Sequence, residues 1–460
     1  MTKTYKQVFI AQSRQKAFDA DHRKKINHSL LQSDISFDKG IRQFSDLQEA
    51  REMANAIKRH TVSHLDQYLL SFEKRFQENG GEVIWAATPE QAQDAIYSIC
   101  REVGAKSVVK SKSMVTEEIH LNTFLSSRGI EVVETDLGEY IQQLAGESPY
   151  HLVAPSMHKS KEEVAALFHE KVGAPAGLSP GQLTQFAREV LRKKFVQADI
   201  GITGVNFLLA DIGGVALTEN EGNGRLSTSF PKIHIAVTGI EKILPSVKDL
   251  ALFWPLLATH GSGQHITVYN SIFTGAKKKG EKDGPEKMYV VLLDNGRSRL
   301  LADPGARESL YCIRCGACLN VCPVFRNIGG HTYNSTYGGP IGSVITPHLK
   351  GMQSYAHLSH ASSLCGACTE VCPVKIPIHA LLLYNRQLSA KMASRAERLA
   401  WKVWAKACSN RSVMNMANGK IKQKVVGALF SGAWGAHRKL PVFAPRSFNE
   451  LWRKQRHIKK

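Results

Sequence analysis

The stretch from residue 312 to 373 constrains this chain more than any other, because Cys312, Cys315, Cys318 and Cys322-Pro323 are echoed by Cys365, Cys368 and Cys372-Pro373. The first half spells CxxCxxCxxxCP, the run by which two-cluster ferredoxins hold one cubane with three thiolates and lend the fourth to the other cluster. Three cysteines at three-residue steps in a tight loop converge on one cube, whereas the fourth turns away at its proline. Crossing the fourth cysteines gives one complete set, Cys312, Cys315, Cys318 and Cys372, and one incomplete set, Cys322, Cys365 and Cys368. The second half reads SSLCGACTEVCP, and the slot matching Cys312 holds its first residue, Ser362. Three completions stay open for that set: a 4Fe-4S cube with a non-cysteine ligand such as Ser362, a cube with an open iron, or a 3Fe-4S cluster. Zinc fits poorly, since it wants four ligands per site and here seven thiols come in a cubane-type triplet with prolines after both terminal cysteines. Disulfides fit worse, because no secretory segment leads to an oxidising compartment.

At 460 residues with 43% hydrophobic content, the chain has room for two or three domains and is not disordered. Its start, MTKTYKQVFIAQSRQK, has no apolar signal core, and no run of eighteen apolar residues occurs. The expectation is a cytoplasmic protein, soluble or peripheral on the inner face of the membrane. A net charge of +20 raises nucleic acid as a partner, but Arg386 to Lys460 holds 18 Lys+Arg against Glu397 and Glu450 and leaves the first 385 residues with only +4. Basicity therefore belongs to a tail without a recognition motif, and nucleic acid is not expected.

Residues 1–79 read as a helical lead-in, notably 47–59 and 64–76, with no sign of chemistry; His60 and His64 lack a third ligand nearby and read as a solvated face. Residues 80–300 alternate short apolar strands with helices, the pattern of a mostly parallel sheet in an α/β domain. Strand candidates are 82–87, 107–111, 130–136, the stretch 198–218, 234–239 and 288–296. Thr88-Pro89-Glu90-Gln91 and Ser179-Pro180-Gly181-Gln182 read as capping boxes that start helices. Residues 275–287, rich in glycine and charge, read as a mobile loop. Residues 301–385 form an expanded, mainly helical two-cluster ferredoxin domain, and 386–460 a basic helical tail.

Ligands in parallel sheets bind beyond the carboxyl ends of the strands, where two loops are loaded. One runs Lys110-Ser111-Lys112-Ser113; the other carries Asn223 and Arg225. They read equally as an anion pocket or as ordinary turn chemistry. Neither is a nucleotide-binding fingerprint. Four of the six tryptophans lie in the tail beside lysines and arginines, which suits self-packing, docking on a partner subunit, or membrane contact. Cys100 and Cys408 read as buried small apolar residues. His234, His260 and His265 carry no assigned role, and no residue is named as catalytic.

The chain resembles the lactate utilisation protein B family over nearly its full length. The resemblance rests on VVKSKSMVTEEIHLN (108–122), ADIGITGVNFLLADIGGVALTENEGNGR (198–225), CIRCGACLNVCPV (312–324), LCGACTEVCPVKIP (364–377) and ERLAWKVWAK (397–406). It implies a fold similar to CoA-transferase and sugar-phosphate isomerase relatives, two 4Fe-4S clusters on the seven cysteines, and a non-catalytic electron-relay role in oxidising L-lactate to pyruvate. It also implies two companion subunits, one of them cysteine-rich, and a respiratory electron acceptor. The alternative is an iron–sulfur scaffold or regulatory subunit that carries no electron flow.

Overall fold

Ten strands lie among the described residues of the computed structural model, which are 3–415, 418–435 and 438–458. Positions 1 and 2 of the start and 416, 417, 436, 437, 459 and 460 of the tail fall outside them. Strands β1 (Glu82–Ala86), β2 (Ser107–Lys110), β3 (Glu131–Glu134), β4 (Ile200–Thr203), β7 (Ile233–Gly239) and β10 (Lys287–Leu293) form a six-stranded sheet in the order β1-β10-β7-β4-β2-β3. Every pairing in it is parallel. β7 and nearly all of β10 are buried, as near-continuous apolar strands covered on both faces must be. Alternation then sorts their side chains. Ile235, Val237, Tyr289, Val291 and Leu293 meet Ala92, Ile96 and Ile99 on one face. Ala236, Met288, Val290 and Leu292 meet Leu65, Leu69, Phe72 and Phe76 on the other.

The stretch 198–218 is not one strand. It breaks at Gly204–Asn206, and β5 (Phe207–Leu209) and β6 (Gly214–Glu219) leave for a second sheet with β8 (Ile243–Leu244) and β9 (Tyr269–Phe273), ordered β8-β5-β6-β9. β6 pairs antiparallel with both neighbours, so the α/β region is not a single parallel sheet. β8 and β9 are too short or too polar to announce themselves by period. The second sheet serves two cores: Phe207, Leu209 and Ala216 face the core that also holds the cysteine loops, while Leu208 and Val215 face the large sheet. That sharing places lead-in, α/β region and cysteine region in one compact unit, Met1–Ser389.

The lead-in helices Leu47–Ser63 and Leu65–Glu78 form as expected, the first capped by Asp46 accepting from Gln48 and Glu49 N–H groups. They are more than a lead-in. Arg51 and Lys58 fall on the buried stripe of Leu47–Ser63 beside Ala50, Ala54 and Val62; Arg51 bonds the second cysteine loop, and Lys58 donates to the Glu241 and Ile243 carbonyls. Ser179 and Gln182 close a full capping box; Thr88 accepts from Gln91 N–H, while the Gln91 side chain reaches Ala87 N–H. The cysteine region is helical, with Gly339–Lys350 and Met352–His360 filling the gap between the two motifs.

The second unit is Ala390–Lys460. Arg386, placed above in the tail, belongs instead to the helix Ile378–Lys391, whose body lies in the first unit. Among its described residues only Gly419 is buried. Its helix Arg395–Ser409 lines up Ala400, Trp401, Trp404, Ala407 and Cys408 at three- and four-residue steps, and Trp401 is 65% exposed. Cys408 is therefore exposed, contrary to expectation, because it sits on an apolar stripe that this unit does not cover. Cys100 is buried. Among the described residues no helix is long and apolar enough to cross a membrane.

Candidate metal centre and the cleft beside it

Arg314 and Gly316 adopt positive φ, 63° and 82°, which folds the first cysteine loop back on itself. Cys318 then rides on the short helix Ala317–Asn320. Cys312, Cys315, Cys318 and Cys372 line one small cavity, walled otherwise by apolar groups such as Ile341, Val374 and Ile376. None is in a disulfide. Burial and then the neighbouring sulfurs push the Cys315 and Cys318 thiols up, and burial raises Cys372 to about 12. Four crowded, desolvated sulfurs ionise together only around a strongly cationic centre, so the donor set fits an iron–sulfur core. Backbone N–H groups of Arg314 and Ile376 donate to Cys312 Sγ and Cys372 Sγ, both at 3.4 Å. Arg51 Nε donates to the Cys372 carbonyl at 2.9 Å and Asn55 Nδ2 to the Val374 carbonyl at 2.8 Å, fixing the Cys-Pro turn from the lead-in helix.

The second loop repeats the first. Leu364 and Gly366 take φ of 56° and 87°, and Cys368 rides on the helix Ala367–Glu370. Burial, then Cys322 and Cys365, push the Cys368 thiol up to about 11, and burial with Cys365 raises Cys322. Cys322, Cys365 and Cys368 lie outside the first cavity, with Cys365 at the surface. Leu364 N–H donates to Ser362 Oγ at 3.1 Å, the counterpart of Arg314 N–H on Cys312 Sγ. Arg386 holds this loop by donating to the Ser359 and Ser362 carbonyls, each at 2.9 Å. Buried Tyr333 lies by both groups; after burial itself, Cys322 and Cys318 raise its phenol.

Against the first group lies a cleft of about 320 Å³, beyond the carboxyl ends of β2, β3, β4 and β7. Lys112, Ser113 and Asn223 line it; Lys110 and Arg225 do not. Lys110 is still part of β2, in register with Glu134 on β3, so its ammonium turns inward to Glu134 at 2.7 Å and Glu117 at 3.5 Å. Arg225 is exposed, 5.7 Å over the Tyr269 ring. Ser111, of the same loop as Lys112, lines the cleft too, which also gains Lys242 and Arg314. Arg314 spans both sites: its Nη2 donates to Glu241 at 3.2 Å, and its guanidinium lies 4.8 Å over Tyr337. Glu241 also accepts from Arg297 Nε at 2.6 Å, and Arg297 reaches Glu118 at 2.8 and 2.9 Å. Burial pushes the Glu241 carboxyl up, but Arg297 and then Arg314 hold it at about 2. Burial and then Arg314 push the Lys242 ammonium down to about 7, a penalty that a nearby anion reverses. Among the described residues two other groupings of metal-type side chains, Glu117–Glu134–Glu139 and Glu147–His158–His331, each hold a lysine, Lys110 on Glu134 and Lys159 on Glu147.

Comparison with known proteins adds the family. Family models match as a LUD domain at residues 69–293, a 4Fe-4S dicluster domain at 308–376 and the lactate utilisation protein B C-terminal region at 386–457. Lactate utilization protein B of Geobacillus thermodenitrificans is 47% identical over 368 residues, covering 79% of this chain and 77% of that one. The protein of that name from Bacillus cytotoxicus is 42% identical over 433 residues, covering 91% of each. The chain belongs to the lactate utilization protein B family. A crystal structure of a DUF162 family protein from Deinococcus radiodurans aligns with 50% of this chain at 15% identity and a TM-score of 0.29, too weak a likeness to argue from.

In this family member, sequence reasoning missed Lys242, Arg314 and the Glu118–Arg297–Glu241 chain, as well as Arg51 and Lys58 of the lead-in helix. Their one readable sign is misplacement: Lys242 follows the apolar β7 run HIAVTGI, and Arg51 and Lys58 occupy apolar-phase positions of a helix. Of the histidines left without a role, His234 is buried and bonds Thr203 at 2.8 Å, and His260 bonds the Leu256 carbonyl at 2.8 Å.

Proposed function

We propose that this chain is the iron–sulfur electron-transfer subunit of a system that oxidises L-lactate to pyruvate and passes electrons toward a respiratory acceptor. The observation that carries the reading is the convergence of Cys312, Cys315, Cys318 and Cys372 on one cavity, with a second cysteine loop of the same conformation. The relatives' shared name, lactate utilization protein B, supports the substrate. A bound cluster supplies a one-electron carrier; the chain's own part is to hold the sulfurs, shield the first group among apolar side chains and donate N–H groups to sulfur. The test is EPR of the anaerobically reconstituted chain given L-lactate with and without its companion subunits. Reduction only in the complete assembly is expected; no reduction in either, while dithionite reduces both, sinks the relay.

The reading assigns two 4Fe-4S clusters, one on Cys312, Cys315, Cys318 and Cys372, the other on Cys322, Cys365 and Cys368. Ser362 is the fourth ligand of the second, because its Oγ receives the same backbone N–H that Cys312 Sγ receives in the repeat. Ser362→Ala is expected to yield seven irons and a three-iron EPR signal, and Ser362→Cys eight irons with an altered signal of the second cluster. Eight irons and an unchanged spectrum in Ser362→Ala would remove Ser362 from the ligand set. Docking on the companion subunits falls to residues 390–460, whose basic helices expose Trp401 and Trp404.

A further inference from the structure

We infer that the cleft between β2, β4 and β7 is a binding site for a small organic monocarboxylate, set directly against the first sulfur group. Nothing in the relay reading requires this chain to touch a metabolite; the inference goes beyond it. It stands on donors that the protein itself leaves unused. Lys242 is 5% exposed and Ser111 4% exposed, and both line the cleft. Among the described residues the Lys242 and Lys112 ammonium groups have no hydrogen-bond or ion-pair partner, and Ser111 Oγ and Arg314 Nη1 are buried with none. A buried hydroxyl and guanidinium arm left without acceptors cost free energy unless an anion meets them, and the two unpaired ammonium groups on the same wall add the charge to attract one.

The rest of the wall selects the anion. Asp136, Glu219 and Glu221 line the same cleft and set a limit on the negative charge it accepts. Arg314 has already given Nη2 to Glu241, so one arm remains. No glycine-rich phosphate cradle opens here, and the glycine-rich turn at Gly222–Gly224 is spent on Glu219, which accepts from Gly224 and Arg225 N–H groups. A singly charged carboxylate suits that balance; a doubly charged phosphate does not. The volume of about 320 Å³ lies at the low end for small-molecule sites, and the apolar side chains of Val115, Leu152 and Leu257 leave room for a short carbon skeleton.

The rival account is that Lys242 and Arg314 only offset the negative charge of a cluster bound on the neighbouring cysteines. Calorimetry on the full, anaerobically reconstituted chain separates the two, with L-lactate, pyruvate and inorganic phosphate as probes. One carboxylate per chain is expected to bind, at least tenfold more tightly than phosphate. Lys112→Met and Ser111→Ala, both remote from the sulfurs in sequence, are expected to weaken it by fivefold or more with iron content and EPR unchanged, and Lys242→Met by tenfold or more. Saturating carboxylate is also expected to perturb the EPR signal of the first cluster, through Arg314. Absence of binding by either carboxylate overturns the inference, as does wild-type affinity in all three variants or phosphate binding as tightly. A Lys242→Met variant that shifts the cluster potential with affinity intact decides for the rival. None of these outcomes touches the relay, which stands or falls on cluster reduction in the complete assembly.

Discussion

Arg314 shows how much one residue carries here: its N–H meets Cys312 Sγ, its Nη2 meets Glu241, its Nη1 is buried without a partner, and its side chain lines both the cleft and the cysteine cavity. His234 carries a different burden. Burial holds its imidazole down to about 3, against about 6.5 in the unfolded chain. Between those values the unfolded chain binds the extra proton, so the stability is complete above pH 6.5 and is lost as pH falls toward 3. From pH 7.5 to 5.5 this one group costs about 1.4 kcal/mol. Thermal melts of wild type and His234→Gln at the two pH values are expected to show a smaller loss on acidification in the variant. Equal losses would mean that His234 is not the buried neutral group described. His260, pushed down to about 4 by burial, adds a slope of the same sign.

At the scale of elements, the cleft depends on a close approach between β4 and the helix Asn223–Ser229. Gly201 has no room for a Cβ, which would overlap the Ser227 carbonyl and press on Pro231 at 3.2 Å. Gly201→Ala is expected to cost about 1–3 kcal/mol through overpacking and to displace the helix that brings Asn223 to the cleft. Gly181→Ala, in the helix Pro180–Gln197 with nothing within 4 Å, is the matched control and should be neutral or stabilising by up to about 1 kcal/mol. Denaturant unfolding of both variants checks the pair; similar midpoints would mean that β4 and the helix are not in contact. The buried chain from Glu118 through Arg297 to Glu241 ties the helix Met114–Glu118 to the loop after β7 in the same way. Removing one partner of such a chain typically costs about 3–5 kcal/mol, since a charge is left buried alone.

For the whole molecule, the division into Met1–Ser389 and Ala390–Lys460 predicts what truncation does. A chain ending at Ser389 keeps both cysteine loops, the Arg386 clamp and the lead-in helices, and is expected to hold its full iron complement with an unchanged EPR spectrum. Its affinity for the companion subunits is expected to fall at least tenfold. Pull-down against those subunits, with sedimentation on anionic vesicles alongside, reads the result. Loss of iron would show that the tail is part of the cluster domain, and loss of vesicle binding alone would move the tail's role to the membrane.

The cysteine grouping was legible in the sequence because ligand spacing within a tight loop is a local property, and so were the helices that announce themselves by caps and the strands of the large sheet by apolar runs. Membership of the family was legible for the same reason, through contiguous motifs. The cleft was legible only in part. Lys112, Ser113 and Asn223 stood in loops at the right ends of strands, but Lys110 looked the same until its register with Glu134 was known. Lys242, Arg314 and Ser111 come from the loop after β7, the cysteine loop and the loop after β2, and their convergence depends on the second sheet sharing its two faces between two cores. Spacing fixes what a loop can chelate. Only packing decides which distant charges are left facing one another without a partner.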